Sequence, residues 1–183
     1  MKRIAQTRVA LIALVALSTA GCGKGPSREE SPSADAGEIP PAVLALFRKI
    51  SGEGGALPIR EVREKAGAGD RVVIEAAIIG SENPFIERRA AFVIGDPERI
   101  ETCDELHADS CPTPWDACCE EPDTLRENTA IVQIVDSDGR VLPVGLRGVG
   151  GLREQARVRV EGRVANRSGE GALVINADAI QVF

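Results

Sequence analysis

The chain has no tyrosine, one tryptophan and four phenylalanines, so a core of ordinary size has to be built from Val, Ile, Leu and Ala. The same shortage removes the aromatic platforms on which single-stranded nucleic acids stack, at roughly 1 to 3 kcal/mol per base. Histidine is as scarce. His107 is the only one, and with no base and nucleophile ordered around it nothing assembles into a hydrolase triad. Long hydrophobic runs are also missing: the stretch from Val9 to Leu17 is unbroken but short, whereas a membrane-crossing helix needs roughly 20 apolar residues. No G-x-x-x-x-G-K-[ST] or G-x-G-x-x-G sequence is present, and the glycines from Gly145 to Gly151 read as a strand connection. What remains, in 183 residues, is one domain of ordinary size with appendages.

The first appendage is an address. Lys2, Arg3 and Arg8 precede the run Val9 to Leu17, and Ser18-Thr19-Ala20-Gly21 supplies small residues up to Cys22, the layout of a secretory signal peptide over residues 1–21. Thr19-Ala20-Gly21-Cys22 resembles the lipobox of bacterial lipoproteins, in which the peptide is cut before the cysteine and that cysteine receives diacylglycerol. Thr19 stands where Leu is usual, and Ser18-Thr19-Ala20 offers an ordinary signal peptidase a cut after Ala20. Cysteine parity separates the two: lipidation of Cys22 leaves Cys103, Cys111, Cys118 and Cys119, which can all pair in an oxidising compartment. By the same resemblance, Gly23 after the cysteine implies the periplasmic side of an outer membrane where the bacterium has one.

Cleavage takes Lys2, Arg3 and Arg8 from the 22 basic side chains and none of the 28 acidic ones, which leaves the exported chain at a formal charge of minus nine. Such a chain repels phosphate polymers, because nucleic-acid affinity comes largely from Lys and Arg neutralising phosphates.

Residues 22–37 are rich in Gly, Pro, Ser and charge and hold no large apolar side chain, the composition of a disordered tether. In residues 38–68, Val43, Leu46, Phe47 and Ile50 at i, i+3, i+4 and i+7 predict a helix over 42–50 after Pro40-Pro41, and a second short helix is expected over 58–66. From residue 69 the pattern is β. Strands are expected over 71–79, 90–94, 129–135 and 157–161, and over 172–176 with 179–183. The turn Asp136-Ser137-Asp138-Gly139 leads into a further segment over 140–146. Asp136 and Asp138 resemble the start of a calcium loop, but the downstream pattern is missing and a hairpin explains them. The fold class is therefore mainly β: a small, closed or partly open barrel of five or six strands over 69–183, with a short N-terminal helix.

Gly69-Asp70-Arg71-Val72-Val73-Ile74-Glu75 and Ala156-Arg157-Val158-Arg159-Val160-Glu161-Gly162-Arg163-Val164 resemble segments of OB-like barrels. Asn83-Pro84-Phe85, the block Cys111-Pro-Thr-Pro-Trp-Asp-Ala-Cys-Cys119 and Gly145 to Leu152 resemble a group of bacterial lipoproteins that carry an OB-like domain and have no established activity. That resemblance implies a fold and a location.

Residues 96–128 form an insertion between the second and third strands and hold Cys103, Cys111, Cys118, Cys119, His107 and Trp115. In an export compartment two disulfides are expected, because a loop poor in large apolar groups cannot order itself by burial. Neighbouring cysteines bond only with a strained peptide, so Cys118 and Cys119 would each pair with Cys103 or Cys111, in either combination. The alternative is a metal- or redox-cofactor-binding insertion, with zinc or copper held by the four thiolates or by three with His107, although spacings of seven, six and zero residues contain no C-x2-C knuckle and there is no C-x-x-C for redox chemistry. Trp115, between Pro114 and Asp116, is expected to pack the loop against the barrel. The sequence thus points to a lipid-anchored, extracytoplasmic, non-catalytic binding or structural module. Expected partners are the membrane, through its lipid, and an envelope protein or small ligand; neither a resident cofactor nor nucleic acid is expected.

Overall fold

The computed structural model describes residues 38–51, 55–104, 111–166 and 171–183. The signal peptide, Cys22, the tether and His107 lie outside them. Five strands, β1 (Arg71–Ala77), β2 (Ala91–Gly95), β3 (Thr129–Gln133), β4 (Arg157–Asn166) and β5 (Leu173–Val182), close into a barrel in the order β1-β2-β3-β5-β4. The β3–β5 pair is parallel and the other four are antiparallel.

Alternation decides which face of each strand is inside. Val72, Ile74 and Ala76 of β1 and Val158, Val160 and Val164 of β4 are buried, while Arg71, Glu75, Arg157 and Arg163 between them are exposed. On the outer face the charges meet across strands, Arg71 3.2 Å from Glu161 and Arg159 4.0 Å from Glu75. Phe92 and Ile94 of β2, Val132 of β3 and Leu173, Ile175 and Ile180 of β5 complete the interior. Side chains fill a five-stranded barrel of this kind, leaving no lumen.

Two expected strands run further than their alternating segments. β4 passes through Gly162 to Asn166, with register shifts at Glu161/Gly162 and Val164/Asn166, and β5 is continuous over the two segments expected at 172–183. Gly162 is what lets β4 continue: a Cβ there would collide with the Asn176 carbonyl oxygen and lie 2.8 Å from Ile175 Cγ2. The segment 140–146 does not become a sixth strand. Its ladder across the turn is a single bridge, Val135 with Val141, and Pro143 and Gly145 interrupt it, although Val144 and Leu146 still reach the core. The turn itself forms, with Asp136 Oδ1 accepting the N–H groups of Asp138 and Arg140, both at 2.9 Å. The Arg140 N–H, with the Arg140 side chain and the Asp138 N–H, holds the Asp136 carboxyl below its ordinary range.

The helix expected over 42–50 stops early. α1 spans Pro41–Leu44, after which the chain runs beside β5: Ile180 donates its N–H to the Leu46 carbonyl at 2.8 Å, and Arg48 donates to that of Ile180 at 3.0 Å. The i, i+3, i+4, i+7 spacing is real, but β5 beyond Asn176, where its pairing with β3 ends, offered the backbone better partners than another helical turn. Gly150, in the left-handed region at φ 58°, gives Phe47 its seat, since a Cβ at 150 would overlap the Phe47 ring. α2 (Ile59–Lys65) forms close to its expected place and buries Ile59 and Val62 in the barrel core. Its outer side carries Arg60–Glu64 and Lys65–Glu61 pairs at 2.9 and 2.8 Å. Among the described residues no helix is long and apolar enough to cross a membrane.

Candidate thiol site

β2 and β3 are paired as a hairpin whose connection is residues 96–128. Gly95 lies opposite Thr129, and the next step is also closed, because Asp96 donates its N–H to the Asn128 carbonyl at 3.0 Å. Asp96 is buried and starts a turn: Oδ1 accepts from Glu98 at 3.0 Å, and its carbonyl accepts from Ile100 at 3.0 Å. The other end is α3 (Pro122–Asn128), opened by Pro122 in its first turn, where a missing N–H costs nothing. Sequence reasoning left this helix inside the loop, because Leu125 is its only large apolar residue and no amphipathic period shows.

Within the connection a short backbone ladder forms. Cys103 donates its N–H to the Asp116 carbonyl at 2.8 Å and Asp104 donates to Pro114 at 3.1 Å. Prolines at 112 and 114 favour the extended backbone that this pairing needs. Beneath the ladder lies a second small core of Ala77, Ile79, Ile100 and Ala117, with Trp115 and Leu125 packed on it. Trp115 ties this core to the segment leaving β1. Its indole Nε1–H donates to the Glu82 carbonyl at 3.0 Å, and its own carbonyl accepts from the Gly80 N–H at 3.0 Å.

The ladder brings residue 103 beside 116–118, and the cysteines gather there. The sulfurs of Cys103, Cys111 and Cys118 all lie within 4.8 Å of one another, with Cys103 and Cys118 at 3.5 Å. Cys119 Sγ is 4.0 Å from Cys118 Sγ and stands outside that group of three. All four are free thiols, so the two expected disulfides are not formed in this structure. Three sulfurs share one region without a pair closed to the roughly 2.05 Å of a disulfide, and Cys119 is exposed beside its own chain neighbour. The missing C-x2-C spacing hid this convergence, which the 103–116 ladder produces from cysteines far apart in sequence.

The three thiols are electrostatically unequal. Cys103 is 1% exposed; burial, together with its contacts to Cys111 and Cys118, pushes its thiol up to about 11. Contacts with the side chain and backbone of Thr113 hold Cys111 below the ordinary thiol value. Cys118 is drawn down by Cys103, but Cys119, burial and the neighbouring thiols together leave it raised. A thiol at about 11 is about one part in a thousand thiolate at pH 8, and the thiolate is the reactive form. Alkylation of the native, reduced protein at pH 8 should therefore modify Cys111 at least about 100-fold faster than Cys103, and Cys103 should react only once denaturant is added. Peptide mapping after timed iodoacetamide quenching reads both rates; equal labelling of the two would contradict the placement of Cys103.

In the same connection a groove of about 460 Å³ is lined by Pro97, Glu98, Arg99, Ile100, Glu101 and Glu120, with Glu120 Oε1 accepting the Glu101 N–H at 2.9 Å. Compared with known proteins, the chain matches no family model, no curated protein and no solved structure.

Proposed function

We propose that the protein is a lipid-anchored, non-catalytic binding module of the bacterial envelope, an OB-like barrel with a cysteine-rich insertion between its second and third strands. The observation that carries the binding reading is the convergence of Cys103, Cys111 and Cys118 beside a backbone ladder and a small core. The strand order β1-β2-β3-β5-β4, closed and with β3 parallel to β5, supports the OB-like assignment. The lipoprotein resemblance of the segment ending in Cys22 supports the location.

Nucleic acid is a poor fit to this barrel. Phe85 and Phe92 are turned to core packing at 7% and 0% exposure, so they offer no base a platform. Three of the arginines of the β1–β4 face are matched by carboxylates, Arg71 with Glu161 and Asp178, Arg163 with Asp178 and Arg159 with Glu75. No row of unmatched cations is left there to follow a phosphate backbone.

The test is the mass of the N-terminal peptide of protein isolated from membranes, alongside the distribution of the Cys22→Ser variant. The expected result is a mature chain that begins at diacylated Cys22, with the variant lost from the membrane fraction. A chain that begins at Gly21 with an unmodified Cys22, or one that keeps residues 1–21, would overturn the anchoring.

A further inference from the structure

We infer that Cys103, Cys111 and Cys118 form a three-thiolate site for one soft, monovalent d10 metal ion, Cu(I). This deepens the binding reading above by naming what is bound, and it holds whether or not Cys22 is lipidated.

Distance is the first argument. Metal–sulfur bonds of about 2.3 Å hold ligand sulfurs roughly 4 Å apart around a three-coordinate ion, and the sulfurs here are separated by 3.5 to at most 4.8 Å. Such an ion needs only small side-chain adjustments. A disulfide between Cys103 and Cys118 would need a closure to about 2.05 Å and would leave Cys111 with nothing to do.

Ligand chemistry is the second. Among the described residues the group contains sulfur alone, with no carboxylate or imidazole joined to it. Thiolates select soft ions, and three of them, with no fourth ligand in the group among the described residues, suit Cu(I) better than Zn(II), which structural sites hold with four. Cys119 stays outside the triangle although its sulfur is within reach of Cys118.

Placement is the third. Two of the ligands are fixed by backbone: Cys103 by its bond to Asp116, and Cys118 by following Ala117, which is fully buried in the small core. Cys111 is half-buried and Cys118 exposed, so the ion has a way in on that side, while the buried sulfur of Cys103 closes the other. Binding is a proton exchange with no change of oxidation state: each thiol that becomes a ligand releases one proton, and up to three leave for each Cu(I) taken up.

The whole protein, reduced and kept anaerobic, would be titrated with Cu(I) against a chromogenic Cu(I) chelator, with X-ray absorption at the copper edge to count sulfur neighbours. One Cu(I) per chain with three sulfur neighbours is expected. Cys103→Ser, Cys111→Ser and Cys118→Ser should each weaken binding at least 100-fold, while Cys119→Ser should change it less than threefold. Circular dichroism of each variant separates ligand loss from unfolding, and Cys111→Ser, at a half-buried loop position, keeps the test open if Cys103→Ser does not fold. The assignment is overturned by absence of stoichiometric binding, by equal loss in Cys119→Ser, by Zn(II) displacing Cu(I) at equal concentration, or by a metal-free Cys103–Cys118 disulfide in protein alkylated directly in cells. The N-terminal peptide mass is a separate measurement, so failure here leaves the envelope assignment standing, and failure there leaves the metal site standing.

Discussion

Gly162→Ala should lower stability by about 3 kcal/mol, which for a domain of this size is roughly 10 °C in melting temperature. The added methyl group meets backbone on the opposite strand, at the Asn176 carbonyl, and Ile175 Cγ2 at 2.8 Å. A flexible side chain could turn aside from such a contact, but a carbonyl committed to a strand cannot. Gly162 is paired on both sides at once, with Val72 of β1 and Ala177 of β5, so relief of the clash must widen the barrel at the register shift beside it. Thermal unfolding of the variant reads the effect. A change below about 1 kcal/mol would mean that the β4–β5 approach is looser than described.

Phe92→Ala is expected to have the larger effect, about 3 to 5 kcal/mol. Phe92 is fully buried, sits opposite Val132 of β3, and has its ring centroid 6.2 Å from that of Phe85 at an interplanar angle of 34°. Phe85 is the one aromatic beside it, and Phe85 already packs in the core at 7% exposure; the opposing strand residue Val132 is held in the sheet, so the void can collapse only partly. Because small domains have about 5 to 15 kcal/mol in all, the variant should be close to unfolded at growth temperature. Phe92→Leu, which restores most of the volume, should recover most of that loss. Denaturant titration of the pair tests both, and an alanine variant as stable as the leucine one would remove Phe92 from the centre of the core.

How far these features could be read from residues alone depended on how local their causes are. The start of β4 was legible because valine and charge alternate there without interruption, and β1 and the beginnings of β2 and β3 followed from short β-branched runs. The far end of β4 and the join of β5 at 177–178 were not: Gly162 and the polar Asn176-Ala177-Asp178 break the pattern, and β4 persists because it is paired with β1 on one side and β5 on the other. The apolar spacing from Val43 to Ile50 described a helix correctly in period and wrongly in extent, since nothing local announces that β5 beyond Asn176 is open to Leu46 and Arg48. The cysteines were legible as a group confined to one loop. Their arrangement was not, because it follows from two backbone hydrogen bonds between residues 103–104 and 114–116, and because Pro122 opens a helix with almost no apolar face.

The absence of tyrosine has an optical side. With Trp115 the sole strong fluorophore, all near-ultraviolet emission of the protein comes from a ring anchored to Glu82 and packed on the small core between the barrel and the thiols. The molecule therefore carries one built-in reporter, placed where the two parts of the fold meet, and its signal can be assigned without any labelling.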